Sequence, residues 1–170
     1  PPIARFCLDL LARQYVAITG EIGVIDKRIH AWHRSCEDSR RLEEIPGIGP
    51  IVATALVAEI GDWKQFRSGR NLAAWIGVVP KQHSTGGKER LGSINKQGNR
   101  YLRWLLVAGA MAVIRYARQH GTKRAWLTRL MARRPAKVAA VALANKIARM
   151  AWAIMVRSER YKEPKLLMAA

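Results

Sequence analysis

The sequence predicts an all-α protein with a long N-terminal coiled-coil helix over 1–40, a compact helical domain over 41–160 and a flexible tail over 161–170. Three observations predict this architecture. Apolar residues keep a heptad spacing through residues 4–36, and later segments carry apolar residues at helical spacing. Hydrophobic residues also make up 49% of the 170-residue chain, which is enough to bury a core. One stretch, 81–99, lacks helical periodicity, and its polar, glycine-rich composition predicts a long loop or loose hairpin.

The N-terminal segment has an apolar seam whose members alternate between spacings of four and three. They are Ala4, Leu8, Leu11, Tyr15, Ile18, Ile22, Ile25, Ile29, Trp32 and Cys36. Such a seam is typical of a coiled coil, and it predicts that the chain forms a homodimer or higher oligomer through residues 4–36. The alternative is a long helix that folds back onto its own domain, with a bend near Gly20 or Gly23.

A sharp connection between two helices is predicted at Ile45–Pro50. Gly47 and Gly49 permit a tight turn, and Pro50 suits the first turn of the helix that follows over 51–60. The pattern resembles a helix-hairpin-helix motif, in which amides at the start of the second helix hold a DNA phosphate. The alternative is a tight helix–helix connection without a ligand.

Four further helices are predicted, over 71–76, 100–119, 125–134 and 136–157. The last contains many alanines, which predicts close packing against its neighbours. We expect Trp104, Trp126 and Trp152 in the core and a frayed tail after Tyr161.

The charge of the chain is strongly positive and unevenly distributed. Thirty Lys and Arg against 12 Asp and Glu give +18. Residues 1–62 carry seven basic and nine acidic side chains (−2), whereas residues 63–170 carry 23 basic and three acidic ones (+20). We therefore expect a polyanion partner, with nucleic acid favoured over a membrane or an acidic protein, at the second segment. The alternative is a basic surface that has no dedicated partner.

Metal binding and membrane insertion are not predicted. Two cysteines and four histidines lack the spacing of a zinc site, which favours reduced thiols and a cytoplasmic location. The apolar run over 138–156 is interrupted by Lys146 and Arg149. The chain opens on proline rather than methionine, so we expect a fragment of a longer protein.

The polar stretch 81–99 is the strongest functional candidate. It contains four glycines, three small hydroxyl side chains and four basic residues, a composition suited to wrapping a phosphodiester closely. We expect it to be mobile without nucleic acid. The alternative is a merely flexible connection.

Several motifs in the same order then resemble one known family. They are Ile45-Pro46-Gly47-Ile48-Gly49-Pro50, Leu72-Ala73-Ala74-Trp75-Ile76-Gly77-Val78-Val79-Pro80, Ser84-Thr85-Gly86-Gly87-Lys88 and Gly92-Ser93-Ile94-Asn95-Lys96-Gln97-Gly98-Asn99-Arg100-Tyr101-Leu102-Arg103. Residues 40–157 resemble the C-terminal domain of bacterial insertion-sequence transposases related to the Piv DNA invertase, the bridge-RNA-guided recombinases.

The resemblance implies an enzyme whose other half lies outside this chain. In that family a RuvC-like N-terminal domain binds Mg²⁺, and the C-terminal domain supplies a serine that attacks a DNA phosphate. The matching residue is Ser84, with Ser93 and Thr85 as alternatives. We expect no cofactor in this chain, Mg²⁺ in the missing domain, and no recombination by these 170 residues alone. The implied partners are DNA and a guide RNA, at the nucleoid.

Candidate nucleic-acid-binding residues combine the hairpin, the polar stretch and the start of the following helix. His83 is a candidate base for Ser84, and Lys88 and Arg90 are candidates to neutralise phosphoryl charge. The full set is Gly47, Gly49, Lys81, His83, Gly86, Gly87, Lys88, Arg90, Lys96, Asn99, Arg100 and Arg103. Two alternative functions are a non-enzymatic nucleic-acid-binding module and a structural RNA-binding protein.

Overall fold

The computed structural model describes residues 1–83, 91–122 and 124–163, and within these ranges the chain is helical apart from one small ribbon. The helices are α1 (Pro2–Ser35), α2 (Glu37–Glu43), α3 (Pro50–Ile60), α4 (Gly69–Ile76), α5 (Arg100–His120), α6 (Ala125–Arg133) and α7 (Ala136–Arg157). A 3₁₀ turn spans Trp63–Gln65, and strands β1 (Pro80–Gln82) and β2 (Leu91–Ile94) pair. The predicted all-α class is confirmed.

Helix α1 runs without interruption through Gly20 and Gly23 and projects from the rest of the molecule. It ends at Ser35 because Cys36 takes an extended conformation (φ −96°, ψ 113°). Only its C-terminal part contacts α2 and α3, whereas Tyr15 and Ile22 are 72% and 53% exposed. The alternative in which this helix folds back onto its own domain is therefore not what the structure shows.

The core is built around α7, which packs against α2, α4, α5 and α6. Close approach depends on small side chains, as the alanine-rich sequence predicts. The fully buried alanines of this helix are Ala139, Ala140, Ala144, Ala148 and Ala151. The opposing helices contribute large side chains such as Leu72, Leu102 and Leu106, which are completely buried.

By length and hydropathy alone, α7 is the one helix in the described part of the chain that could cross a membrane. Its apolar face, however, is buried against α4 and α5 inside the domain. A buried core helix passes the same test, so this apolar length is explained by packing.

Of the two predicted forms of the stretch 81–99, a long loop or a loose hairpin, the described residues show a short antiparallel ribbon. Strands β1 and β2 are antiparallel, with Pro80 opposite Ile94 and Gln82 opposite Leu91, and the register is irregular between these pairs. The Asn95 amide donates to the Val79 carbonyl (2.9 Å) at the base of the ribbon. The predicted mobility concerns the whole of 81–99; residues 84–90 of this stretch lie outside the described residues.

The chain after α7 returns to the domain. The Tyr161 amide donates to Glu44 Oε2 (3.1 Å), and Arg160 pairs with Glu44 at 3.3 Å. Arg124 pairs with Glu163 at 3.0 Å. The expectation of a flexible tail otherwise concerns residues 164–170, outside the described residues.

Candidate nucleic-acid interface

The two glycines of the turn between α2 and α3 have different surroundings. Gly47 has φ +98°, and a Cβ atom there would lie 2.8 Å from Ile147 Cδ1 and 3.2 Å from Val113 Cγ2. Gly47 thus serves a tight turn packed against α5 and α7. Gly49, in contrast, precedes α3 in extended conformation, and a Cβ atom there would meet nothing within 4 Å. Of the two, only Gly49 has open space where a phosphate could approach.

Asn99 fixes the start of α5. Its Oδ1 accepts a hydrogen bond from the Leu102 amide (3.0 Å), and its Nδ2 donates to Glu59 Oε2 (2.8 Å) at the end of α3. Asn99 is therefore an N-cap that also joins two helices. Both hydrogen bonds are structural, so the observed role of Asn99 is to hold α5 in place.

Arg103 also has an observed structural partner. Its guanidinium donates to the Ile76 carbonyl (2.8 Å) at the end of α4. The neighbouring turn is very close-packed, since Cβ atoms at Gly77 and Gly98 would overlap the carbonyl oxygens of Gln97 and Trp75. Segment 95–99 is consequently clamped onto α4, and it fixes the base of the ribbon relative to α5.

The remaining described candidates are exposed to solvent on the ribbon, on segment 95–99 and at the start of α5. Lys81 and His83 are exposed at β1, Lys96 is exposed at the positive φ of 59°, and Arg100 is exposed at the first position of α5. The His83 ring lies beside Gly92 of β2, where a Cβ atom would come within 3.0 Å of it. The ribbon and the start of α5 thus form one basic surface.

The hairpin glycines belong to a different part of the molecule. Gly49 and the Glu59–Asn99 contact mark opposite ends of α3, whose 11 residues span roughly 16 Å. The sequence grouped these residues as one candidate set, but the structure separates them into two.

Six predicted residues lie outside the described part of the chain. They are the proposed nucleophile Ser84 and the neighbouring Gly86, Gly87, Lys88 and Arg90, with the alternative Thr85. The other alternative nucleophile, Ser93, is exposed on β2.

Cations dominate the described surface after residue 62. Its only acidic side chains are Glu159 and Glu163, and Glu163 is already paired with Arg124. No three His, Cys, Asp or Glu side chains come together in the described ranges in a way that could hold a metal ion. The excess of cations on the described surface after residue 62 suits a polyanion.

Two aromatic residues of α5 were missed as candidates. Tyr101 and Trp104 are 50% and 64% exposed, three positions apart on one helix face and beside Arg100. The expectation that Trp104 is buried is wrong, because the core-facing stripe of α5 runs through Leu102, Leu105 and Leu106. That stripe was visible in the sequence and places position 104 outside it.

Buried His33 and Ser39 and the partly exposed Glu43 join α1 to α2 in an arrangement that superficially resembles a catalytic one. His33 Nδ1 lies 2.8 Å from Ser39 Oγ, and His33 Nε2 lies 2.8 Å from Glu43 Oε2. Ser39 is fully buried and His33 is 4% exposed, so no substrate reaches the hydroxyl. The trio instead fixes the direction in which α1 leaves the domain.

Comparison with known proteins adds independent information. Residues 39–125 match the family described as Transposase IS116/IS110/IS902. The chain is 49% identical over 146 residues to a probable family 20 transposase of Pseudomonas aeruginosa, covering 85% of this chain and 43% of that relative. It is 43% identical over 162 residues to the transposase for insertion sequence element IS1111A of Coxiella burnetii, covering 95% of this chain and 44% of the relative.

A more distant relative acts in DNA inversion by its printed name. The pilin gene-inverting protein of Moraxella bovis is 36% identical over 73 residues, which cover 42% of this chain and 23% of that protein. The chain spans less than half the length of the curated relatives it matches.

Proposed function

The chain belongs to the IS116/IS110/IS902 transposase family, and we propose that it is the part of such a transposase that binds nucleic acid and carries the nucleophile Ser84. The clamped base of the ribbon is the observation that supports this most directly. Because Asn95, Lys96 and Gly98 tie the segment after β2 to the end of α4, the base of the ribbon is held firmly on the helical core. Lys81 and Arg100 are exposed cations of this described part, and positive charge stabilises a phosphoryl group during transfer.

The chemistry of the proposal is transfer of a DNA phosphoryl group to serine. Ser84 Oγ forms a bond to phosphorus while one phosphorus–oxygen bond of the DNA backbone breaks, and the released sugar oxygen takes up a proton. The hydroxyl proton of Ser84 passes to a base, for which His83 is the nearest candidate in sequence. The ester retains the phosphodiester linkage in a form that a second DNA end can attack, which allows strand exchange.

The partners of the proposal are DNA and a guide RNA. If the guide selects the target by base pairing, the protein needs to contact mainly backbone and shape, which suits a surface rich in Lys and Arg. The 170 residues alone are proposed to bind nucleic acid without recombining it, since the described residues hold no metal-binding carboxylate cluster. The proposed location is the cytoplasm, at the nucleoid.

The exposed seam of α1 supports a homodimer or higher oligomer. Leu11, Ile18 and Ile25 remain 60%, 55% and 56% exposed along one stripe, and a second helix would remove them from water. Light scattering of the chain should give a mass of two or more 19.1-kDa protomers. Ile18→Asp should shift it to a single protomer, and a monomeric parent chain would refute the assembly.

The experiment that tests the function compares Ser84→Ala with the unchanged full-length transposase. Recombination should fall below detection in the variant, whereas affinity for DNA should stay within about threefold because a hydroxyl contributes little to backbone binding. Unchanged recombination would refute Ser84 as nucleophile. It would then favour the non-enzymatic nucleic-acid-binding module or, if structured RNA is bound far more tightly than duplex DNA, the structural RNA-binding protein.

A further inference from the structure

A basic cleft lies between α4, α6 and α7, and none of the described candidate residues of the ribbon or the hairpin lines it. Its volume is about 830 Å³. Seven residues of α7 line it: Ala142, Asn145, Lys146, Arg149, Met150, Trp152 and Ala153. Arg70 of α4 and Trp126 of α6 lie across from them. We propose that this cleft binds an unpaired nucleotide segment, with its phosphates on Arg70 and Arg149 and a base against the apolar wall. The proposal rests on the proposed function in so far as nucleic acid is the ligand.

Within the described residues, no acidic side chain neutralises the positive charge of the cleft. Arg70, Lys146 and Arg149 line it without any acidic side chain, and none of the three forms an ion pair with another described residue. Close packing brings two of these cations together. A Cβ atom at Gly69 would lie 3.0 Å from Arg149 Cα, so the start of α4 sits directly on α7. Three cations along one cleft attract an anion of more than one charge, such as a phosphodiester chain.

The walls of the cleft favour an unpaired base over a duplex. Trp126 and Trp152 contribute indole surface, and Met150 and Ala142 contribute further apolar surface. Lys146 Nζ lies over the face of the Trp126 ring, 4.5 Å from its centre, so a base that stacks on this face has to displace the Lys146 side chain. A duplex presents stacked bases whose faces are inaccessible, whereas a single strand presents both a π-face and phosphates to such a wall.

One residue of the cleft also forms a hydrogen bond to the base of the ribbon. Asn145 lines the cleft, and its Nδ2 donates to the Val78 carbonyl (3.2 Å), two residues before β1. A strand held in the cleft would therefore be anchored next to Val78, at the base of the ribbon. This position suits a displaced or guide strand that must be kept apart from the reacting duplex.

The test measures fluorescence anisotropy of the 170-residue chain with a 12-nucleotide oligo-dT, a 12-nucleotide oligo-U and a 12-base-pair DNA duplex. The Arg70→Ala/Arg149→Ala double variant should weaken binding of at least one single strand by about tenfold or more, and of the duplex by no more than about threefold. The matched control is Arg133→Ala/Arg134→Ala, which removes two exposed cations outside the cleft. The control should weaken all three ligands to a similar, smaller extent.

Two single variants separate stacking from folding defects. Trp126→Leu should weaken single-strand binding about fivefold or more, and Lys146→Gln, which leaves the indole in place, should weaken it less. Thermal unfolding of each variant checks that the fold persists.

Equal effects of the cleft pair and the control pair on every ligand would overturn the cleft proposal alone. Failure of the unchanged chain to bind any of the three ligands would instead refute the proposed function. If the cleft variants bind oligo-dT more weakly, the bound segment is DNA. If they bind oligo-U more weakly, the bound segment is RNA.

Discussion

Gly109 in the middle of α5 lies directly against the backbone of Gly47, so closely that a Cβ atom at position 109 would overlap the Gly47 carbonyl oxygen. Two glycines separated by 62 positions in sequence thus meet where the α2–α3 turn crosses α5. This contact sets how near the hairpin approaches the core. A side chain at position 109 would have to move backbone, and Gly47 has a positive φ (+98°) that other residues rarely adopt.

Gly109→Ala should therefore destabilise the domain although alanine is the better helix former. We expect a loss of about 2 to 3 kcal/mol in the free energy of unfolding, because the added methyl group must displace backbone. Urea denaturation followed by circular dichroism measures it. The matched control is Gly20→Ala in α1, where a Cβ atom meets nothing within 4 Å and stability should stay equal or rise. A Gly109→Ala variant as stable as the parent would contradict the observed contact.

The hydrogen bonds of His33 with Ser39 and Glu43, where α1 meets α2, give a second prediction. His33→Ala removes the partner of the fully buried Ser39 hydroxyl and should cost about 2 to 3 kcal/mol of unfolding free energy. His30→Ala, an exposed histidine one turn earlier, should change stability by less than about 0.5 kcal/mol. Adding Ser39→Ala to His33→Ala should recover part of the loss. Equal losses of stability in the two histidine variants would argue against a stabilising hydrogen bond between His33 and Ser39.

Asn99 allows structural and binding roles to be separated. Asn99→Ala removes the α5 N-cap and the bond to Glu59, and should lower stability by about 1 kcal/mol. Asn99→Ser keeps a capping oxygen and should recover most of that loss. Affinity for duplex DNA, measured by anisotropy, should change by less than about twofold in both variants if the cap is the main role. A large loss of affinity with unchanged stability would restore Asn99 as a direct contact.

Substitution of Arg100, in contrast to Asn99, should change DNA binding and leave stability unchanged. Arg100 is exposed at the start of α5, and no described residue forms an ion pair with it. Arg100→Ala should leave stability unchanged and reduce the slope of log affinity against log salt for duplex DNA by about 0.9, the value for one phosphate contact. Arg13→Ala on the exposed part of α1 is the control for loss of one charge. An identical slope in the Arg100→Ala variant and the parent would exclude a phosphate contact there.

Much of the fold follows from local sequence patterns, whereas the clustering of side chains does not. The heptad seam predicts α1, and the alanines of α7 predict close helix packing, because both signals repeat within one element. The pairing of Gly47 with Gly109, and of Asn99 with Glu59, depends on which helices meet, and a single sequence carries no such information. The basic cleft was missed for the same reason: Arg70 and Arg149 are 79 positions apart and come together only because Gly69 packs on α7.

The central claim is that this chain contributes a serine to DNA strand transfer. Digestion of a trapped protein–DNA complex of the full-length transposase, followed by mass spectrometry, identifies the modified residue directly. We predict a nucleotide-bearing peptide whose modification maps to Ser84 and is absent from the Ser84→Ala variant, while DNA binding persists. A modification that maps to Ser93 or Thr85, or an adduct that survives in Ser84→Ala, would contradict the account.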